Sequence, residues 1–389
     1  MLQSPFTFFR GAASIMASDL QGTPVSGIET QICGDAHLAN FGAFATPERR
    51  LVFDVNDFDE TTIGPWEWDL KRLAASFAIA GRHLGLRPRE THEAVLASVR
   101  SYRERMHGFA ARTVLDTWYA RIDENALGDM VTSGEARRRA HPNGAVRASN
   151  AHVSPRTVRR ENGELAIAED PPRVFHPPDA AAYEDYVRAL FAAYQRTLTV
   201  DRKRLFKRFR FIDAAYKVVG VGSVGTRCSA ALFTAGESDE LWLQVKEARA
   251  SVYERYAAAR AFENHGERVV VGQRLMQSAS DLFLGWARAD DGHAFYVRQL
   301  RDMKMSPDIE TMSADELRRY ATVCGWALAR AHARAGGSAA AISGYLGRSD
   351  AFDEAIAAFS RTYADRNELD YRALQKARDE GRIVAKEDL

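Results

Sequence analysis

Two dense polar runs within the first sixty residues restrict this chain more than any other feature. Gly34-Asp35-Ala36-His37-Leu38-Ala39-Asn40 puts an Asp, a His and an Asn within six positions. Phe53-Asp54-Val55-Asn56-Asp57-Phe58-Asp59-Glu60 then places four acids in seven positions, at what reads as a strand end. Such groups are costly to bury unless their charge is neutralised or a metal is bound. The fold has to supply those partners, and the runs are the first place to look for chemistry.

The sequence around the runs predicts helix, strand, loop, strand, helix. Residues 51–58 follow a turn at Pro47-Glu48-Arg49-Arg50 and form the second arm of a hairpin with 41–46. Pro65 stands at a helix first turn, with Trp66, Leu70, Leu73 and Phe77 as an apolar stripe behind it. A second helix starts near Pro88 and aligns Val95, Val99, Tyr102 and Met106. Residues 130–180 read as a long loop or insert rich in Pro, Gly, Asn and Arg. From Arg137 to Arg160 it carries seven arginines and no acid, either a solvated surface or a grip for an anion. A helix resumes over 180–198, and β texture begins near Phe211. Leu241–Lys246 and Phe295–Leu300 alternate, with helices expected over 249–264 and 267–278. Ser313 and Glu316 make a capping box for a helix running to Gly336-Gly337. A last helix aligns Phe352, Ile356, Phe359 and Tyr363. There are no internal repeats.

Composition excludes several classes. The chain of 389 residues is 46% hydrophobic, enough for a large core in two or three lobes. With 53 basic and 52 acidic side chains the net charge is +1, so no global field favours nucleic acid or a membrane surface. No apolar run approaches membrane-spanning length. The N-terminal stretch lacks a basic n-region and holds Arg10 among its apolar residues, unlike a signal peptide. Three scattered cysteines, Cys33, Cys228 and Cys324, argue against a disulfide framework or zinc site and suit the cytoplasm.

The first run has a chemical reading of its own. A loop between a short strand at Thr30–Cys33 and the hairpin can aim Asp35 and Asn40 into one cleft. An Asp accepts a proton from a hydroxyl nucleophile, and an Asn carbonyl oxygen ligates Mg²⁺ without adding charge. Asp57 supplies the carboxylate for the same metal, Mg²⁺ taking only one or two from protein. That is a phosphoryl-transfer layout. The plainer alternative has Asp35 capping a turn and Asn40 satisfying a loop. His37 reads as a scaffold for the loop, His332 as a packed or helix-surface histidine, and Cys33 as a small buried hydrophobe.

The run Gly34–Asn40 resembles the G-D-x-H-x-x-N catalytic loop of aminoglycoside phosphotransferases and related kinase-like enzymes. Asp57-Phe58-Asp59 is similar to their metal-binding D-F-G or D-x-E segment, and Trp68-Asp69-Leu70 to the pair opening their next helix, twelve positions on. More closely, and over most of its length, the chain resembles the uncharacterised bacterial DUF2252 family, whose members carry similar GDAHxxNFG and NDFDET…GPWEWDLKRL segments. The kinase-like resemblance implies Asp35 as catalytic base, Asn40 and Asp57 as metal ligands, and Asp69 as a structural hydrogen-bonding partner of the loop. Asp54 is the rival to Asp57, whose spacing to Asp69 favours it. Asp59 is a candidate to assist a second metal.

A kinase also needs a glycine-rich turn over the phosphates and a lysine on a neighbouring strand. There is no room for either before Asp35. Gly220-Val221-Gly222-Ser223-Val224-Gly225-Thr226 stands far downstream, with Lys246 twenty-one positions after Gly225. Thr226–Phe233 and Leu241–Lys246 read as two strands, so Gly220, Gly222, Ser223, Gly225 and Lys246 are the candidate ATP-phosphate contacts; a plain hairpin turn and a snorkelling lysine are the rival account. The order is inverted relative to kinases, and a circular permutation reconciles it. Trp326–Gly336 resembles the helix that precedes the catalytic loop in those enzymes, although residues 5–20 also read as helical and could fill that place. Glu254, Glu263 and Glu267 are all candidates to pair with Lys246.

The expectation is an α+β, bilobal protein-kinase-like fold, circularly permuted so that the catalytic loop precedes the nucleotide-binding lobe. Residues 1–200 form the catalytic part with its insert, 201–300 the nucleotide part and 301–389 a helical part completing the catalytic lobe. The expected activity is Mg-ATP-dependent phosphoryl transfer to a small molecule, since eleven residues between Asp57 and Asp69 leave no room for a protein-binding activation segment. The alternatives are AMP transfer, a metal-dependent hydrolase using Asp35, His37, Asp54 and Asp57, and a non-catalytic nucleotide-binding regulator.

Overall fold

The computed structural model describes residues 1–130, 158–161, 164–218, 225–236, 239–256, 262–300 and 306–384. It is a mixed α+β structure. Two short helices, α1 (Pro5–Gly11) and α2 (Ala13–Leu20), precede β1 (Glu29–Ile32). The first polar run follows, then the hairpin of β2 (Phe41–Ala45) and β3 (Leu51–Val55). β3 ends at Val55, short of the expected residue 58, because the Asn56 amide turns back to the Asn40 carbonyl at 2.8 Å. The acid run therefore leaves the sheet and reaches β4 (Thr62–Pro65), which pairs antiparallel with β1.

Helix α3 (Trp66–His83) is buried over almost its whole circumference. Its four charged residues at 67–72 survive there because each has a partner. Glu67 accepts the Ser26 amide at 2.6 Å, and Lys71 donates to Thr23 Oγ1 and the Pro24 carbonyl, each at 2.7 Å. Asp69 and Arg72 turn to the first polar run. Then come α4 (Pro88–Ala110), α5 (Val114–Tyr119), β5 (Ile122–Asp123, on β3) and α6 (Glu124–Met130).

Part of the expected insert is structured. β6 (Val158–Glu161) and β7 (Glu164–Ile167) form a hairpin. β8 (Val174–Phe175) is the edge of a six-stranded antiparallel sheet of order β12-β13-β11-β10-β9-β8. Its other strands are β9 (Arg210–Lys217), β10 (Cys228–Ala235), β11 (Asp239–Glu247), β12 (Gly285–Arg288) and β13 (Ala294–Gln299). The two strands expected near 226–233 and 241–246 are β10 and β11, with Cys228 opposite Lys246. Helices α7 (Ala180–Tyr194) and α8 (Val200–Phe206) cover one face through Phe191, Tyr194 and Phe206.

No helix forms over 249–256, contrary to the expectation for 249–264. Ser251 Oγ donates to the Glu60 carbonyl at 2.7 Å and the Val252 amide to Glu60 Oε2 at 2.7 Å, which ties the segment to the acid run as turns. Helix α9 (His265–Met276) starts only where Asn264 caps it. A Cβ at Gly266 would sit 2.1 Å from the Phe295 carbonyl oxygen, and one at Gly272 2.4 Å from Thr61 Oγ1, so α9 is wedged between sheet and acid run.

Helix α10 (Ala314–Gly336) has the expected Ser313/Glu316 capping box and ends at Gly337 with φ +64°. α11 (Ala339–Leu346) and α12 (Ala351–Asp379) follow. One hydrophobic core joins Phe6, Met16, Ile32, Leu73, Leu328 and Ile356, from both ends of the chain. No helix among the described residues is long and apolar enough to cross a membrane.

Candidate functional site

The two polar runs meet face to face. Gly34 has φ +85°, and a Cβ there would lie 2.2 Å from the Glu60 carbonyl oxygen, so only glycine allows the approach. Asp69, at the start of α3, accepts the Cys33 amide at 2.8 Å on one oxygen and the Gly34 amide at 2.9 Å on the other. His332 of α10 is fully buried and bridges Asp69 (Nε2–Oδ2 3.1 Å) to the Tyr102 hydroxyl (Nδ1 2.9 Å). Cys33 is buried, and burial with the Asp69 charge raises its thiol pKa well above the ordinary value.

Asp35 forms an ion pair with Arg72, one helical turn after Asp69. Arg72 is fully buried, donates to the Phe9 carbonyl at 3.0 Å and lies over the Phe9 ring, so α1 is fastened to the loop through this side chain. His37 Nε2 lies 3.7 Å from Asp35 Oδ2. Burial pulls the His37 pKa down to about 4 despite the Asp35 charge, so its imidazole is neutral at pH 7. Asn40 Nδ2 donates to the Asp35 carbonyl at 2.8 Å, which fixes the amide and leaves Oδ1 for another partner.

The four acids have separate fates. Asp54 is fully buried, accepting from Arg330 at 2.5 Å, from the Val55 amide at 2.9 Å and from both the amide and hydroxyl of Ser278 at 2.9 Å. Its acceptor positions are filled from inside the protein. Asp57 is half-buried and lines a cavity of about 570 Å³. Asp59 pairs with Lys246 of β11 and accepts the Tyr296 hydroxyl at 2.7 Å. Glu60 receives the Val252 amide, and burial pushes its pKa up to about 7.

Lys246 lines the same cavity as Asp57, together with Asn56, Gln244 and Arg298. Burial alone depresses its pKa, but Tyr296, Asp59 and Asp57 outweigh that and hold it well above the ordinary lysine value. Arg298 bonds Gln244 at 2.9 Å and the Asn56 carbonyl at 3.2 Å. Leu205, Phe209, Leu241 and Phe283 also line the cavity.

Over residues 1–377 the chain matches the family model described as "Uncharacterized protein conserved in bacteria (DUF2252)". The chain belongs to the DUF2252 family. No curated protein and no solved structure matches it.

In this DUF2252 protein the candidates form two groups, Asp57, Asp59 and Lys246 linked at the cavity and Asp35, His37, Asn40 and Asp69 linked around the first loop, while Asp54 turns away to Arg330. Gly225 (φ +83°) lies ahead of β10, beside the strand that pairs with Lys246; Gly220, Gly222 and Ser223 lie outside the described residues, as does most of the 137–160 arginine run. None of the three glutamates pairs with Lys246. Glu254 pairs with Arg268 at 3.2 Å, the Glu263 carbonyl takes Arg288, and Glu267 opens α9. Sequence reasoning missed Arg72, Arg268, Tyr296, Arg298 and Arg330. The one available signal was Arg72, three positions after Asp69 on one helical face. Among the described residues no group of three or more His, Cys, Asp or Glu could hold a metal ion.

Proposed function

We propose that this protein is a circularly permuted, kinase-like phosphotransferase that transfers a phosphoryl group from Mg-ATP to a small molecule. The observation that carries the reading is the shared cavity, into which Asp57 and Lys246 project from distant stretches of chain. An ion and a polyphosphate need such a pairing of carboxylate and ammonium. The apolar lining at Leu205, Phe209 and Phe283 suits a base, and the lining at Lys246 and Arg298 suits phosphates.

The spatial order supports the permutation. Gly336, at the end of α10, packs so tightly on Thr30 of β1 that a Cβ would lie 2.0 Å from Thr30 Oγ1. Followed across that contact, the order is sheet, α9, α10, β1, Asp35 loop, hairpin, Asp57, which is the kinase order. Tyr320 of α10 also donates to the Leu38 carbonyl at 2.7 Å, beside the loop. The other candidate for this place, α1–α2, reaches the loop through Arg72.

On this reading Asp35 accepts the proton of the acceptor hydroxyl, with Arg72 holding its carboxylate in place. Asn40 Oδ1 and Asp57 would hold Mg²⁺, which supplies charge neutralisation at the phosphates when bound. Lys246 and the Gly220–Gly225 run bind the phosphates. A hydrolase built on Asp54 is disfavoured because that carboxylate is already saturated. Three buried, unpaired cysteines fit a reducing cytoplasm, where ATP is abundant.

Mg-ATP is expected to raise the melting temperature of the wild type, by the equivalent of about 2.7 kcal/mol at a hundred times Kd. Lys246→Ala should lose that shift. ATP labelled at the γ or α position then reads the reaction: γ-label on a product means phosphoryl transfer, and α-label means AMP transfer. A wild type that Mg-ATP does not stabilise refutes the proposal.

A further inference from the structure

In kinases the phosphate-binding lysine is held by a glutamate from a helix beside the sheet. Here the corresponding helix, α9, presents a cation. Arg268, 1% exposed, donates to the backbone carbonyls of Thr61 and Asp59, the latter at 2.8 Å, and to the Arg249 carbonyl at 2.7 Å. Glu254 pairs with Arg268 and leaves Lys246 alone. The carboxylate on Lys246 comes instead from the acid run.

Every polar group of Asp59 is engaged. Its carboxylate takes Lys246 on Oδ2 and the Tyr296 hydroxyl on Oδ1, its carbonyl takes Arg268, and its amide donates to Asp57 Oδ1 at 3.1 Å. A carboxylate so fully used inside the protein is poorly suited to ligating a second metal. It is well suited to holding other groups still, because a side chain locked by several partners orients whatever it touches.

We propose that Asp59 is the positioning residue of this site, replacing the helix glutamate: its carboxylate orients the Lys246 ammonium and its amide orients the Asp57 carboxylate. One residue thereby sets the spacing between the group that grips phosphate and the group that holds the metal. α9 reaches the pair through the backbone of the acid run by way of Arg268, and among the described residues no α9 carboxylate pairs with Lys246. The inference rests on the kinase-like reading for the roles of Lys246 and Asp57, but its contacts do not.

The test reads Lys246 directly. Full-length wild type, Asp59→Asn and Asp59→Glu are treated with an amine-acylating reagent at pH 8, and modification of Lys246 is followed by mass spectrometry. Amide hydrogen exchange in β11 is followed on the same samples. An ammonium held by a carboxylate reacts slowly, and a buried lysine without its counter-charge reverts towards the neutral, reactive amine. Asp59→Asn is expected to speed modification by about tenfold or more, one pKa unit's worth, with β11 exchange unchanged. Asp59→Glu, which keeps the charge, should stay near the wild-type rate. Unchanged reactivity in Asp59→Asn, or Asp59→Glu reacting as fast as Asp59→Asn, overturns the proposal. The labelling needs no nucleotide, so failure of Mg-ATP to bind the wild type would refute the kinase-like reading separately.

Discussion

Asp54 and Asp57 are three residues apart and chemically identical, yet the structure gives them opposite jobs, which substitution can separate. Asp54→Ala leaves the fully buried Arg330 guanidinium with the Met276 carbonyl at 2.7 Å as its remaining hydrogen-bond partner. Removing one member of a buried ion pair costs about 3–5 kcal/mol, a large share of a typical total of about 5–15 kcal/mol. Asp57→Ala changes a half-buried position at a cavity wall, where losing a hydrogen bond such as that from the Asp59 amide costs about 1 kcal/mol. Urea unfolding followed by tryptophan fluorescence should show the midpoint falling steeply for Asp54→Ala and little for Asp57→Ala. The double variant Asp54→Asn/Arg330→Met should recover part of the loss, because it removes the uncompensated Arg330 charge while the amide oxygen introduced by Asp54→Asn can still accept from Val55 and Ser278. Below the melting transition, Asp54→Asn/Arg330→Met should keep the Mg-ATP shift and Asp57→Ala should lose it. If Asp54→Ala is as stable as wild type, or if Asp57→Ala keeps the nucleotide shift, the assignment of structural and metal-binding acids is wrong.

His37 has its folded pKa depressed from 6.5 to about 4, so its contribution is present above pH 6.5 and lost as pH falls towards 4; relative to His37→Gln, wild type should lose about 3 kcal/mol across that window in unfolding measurements at stepped pH. Glu60 has its folded pKa raised from 4.5 to about 7, so its contribution is present below pH 4.5 and lost as pH rises through 7; Glu60→Gln should remove that decline from the same stability curve. Gly34→Ala should destabilise by at least about 1–3 kcal/mol, since it adds strain at positive φ to a backbone collision with Glu60, and should weaken Mg-ATP binding measured by calorimetry.

Local pattern made the secondary structure readable where contacts are local. The stripe of Trp66, Leu70, Leu73 and Phe77 marks α3, the Ser313/Glu316 box marks the start of α10, and alternation marks β11. Reading failed where distant groups decide. Residues 249–256 have helical composition but are held as turns by Glu60, almost two hundred positions away. The three glutamates looked equivalent because their neighbours are alike; the fold then fills the lysine with Asp59 from another stretch of chain. The arginines were invisible for a similar reason. Arginine is almost never fully buried unless paired, and nothing near Arg268 or Arg330 in sequence announces a partner.

Those buried arginines answer the question the polar runs raise. Arg72, Arg268 and Arg330 come from α3, α9 and α10, and each meets a different part of the runs: Asp35, the carbonyls of Asp59 and Thr61, and Asp54. With Lys246 on Asp59, the cationic partners arrive from helices and sheet on every side of the site. A metal is therefore not needed to bury Asp54 or Asp59, and the acid-rich sequence is not by itself a metal signature. What distinguishes Asp57 is its placement: of the four acids it is the one that lines the cavity that Lys246 and Arg298 also line. On the proposed reading, Asp57 beside Lys246 and Arg298 favours an anion that arrives with its own divalent cation over a bare one. That complementarity, rather than the number of acids, is the physical ground for reading the site as one for a metal–polyphosphate ligand.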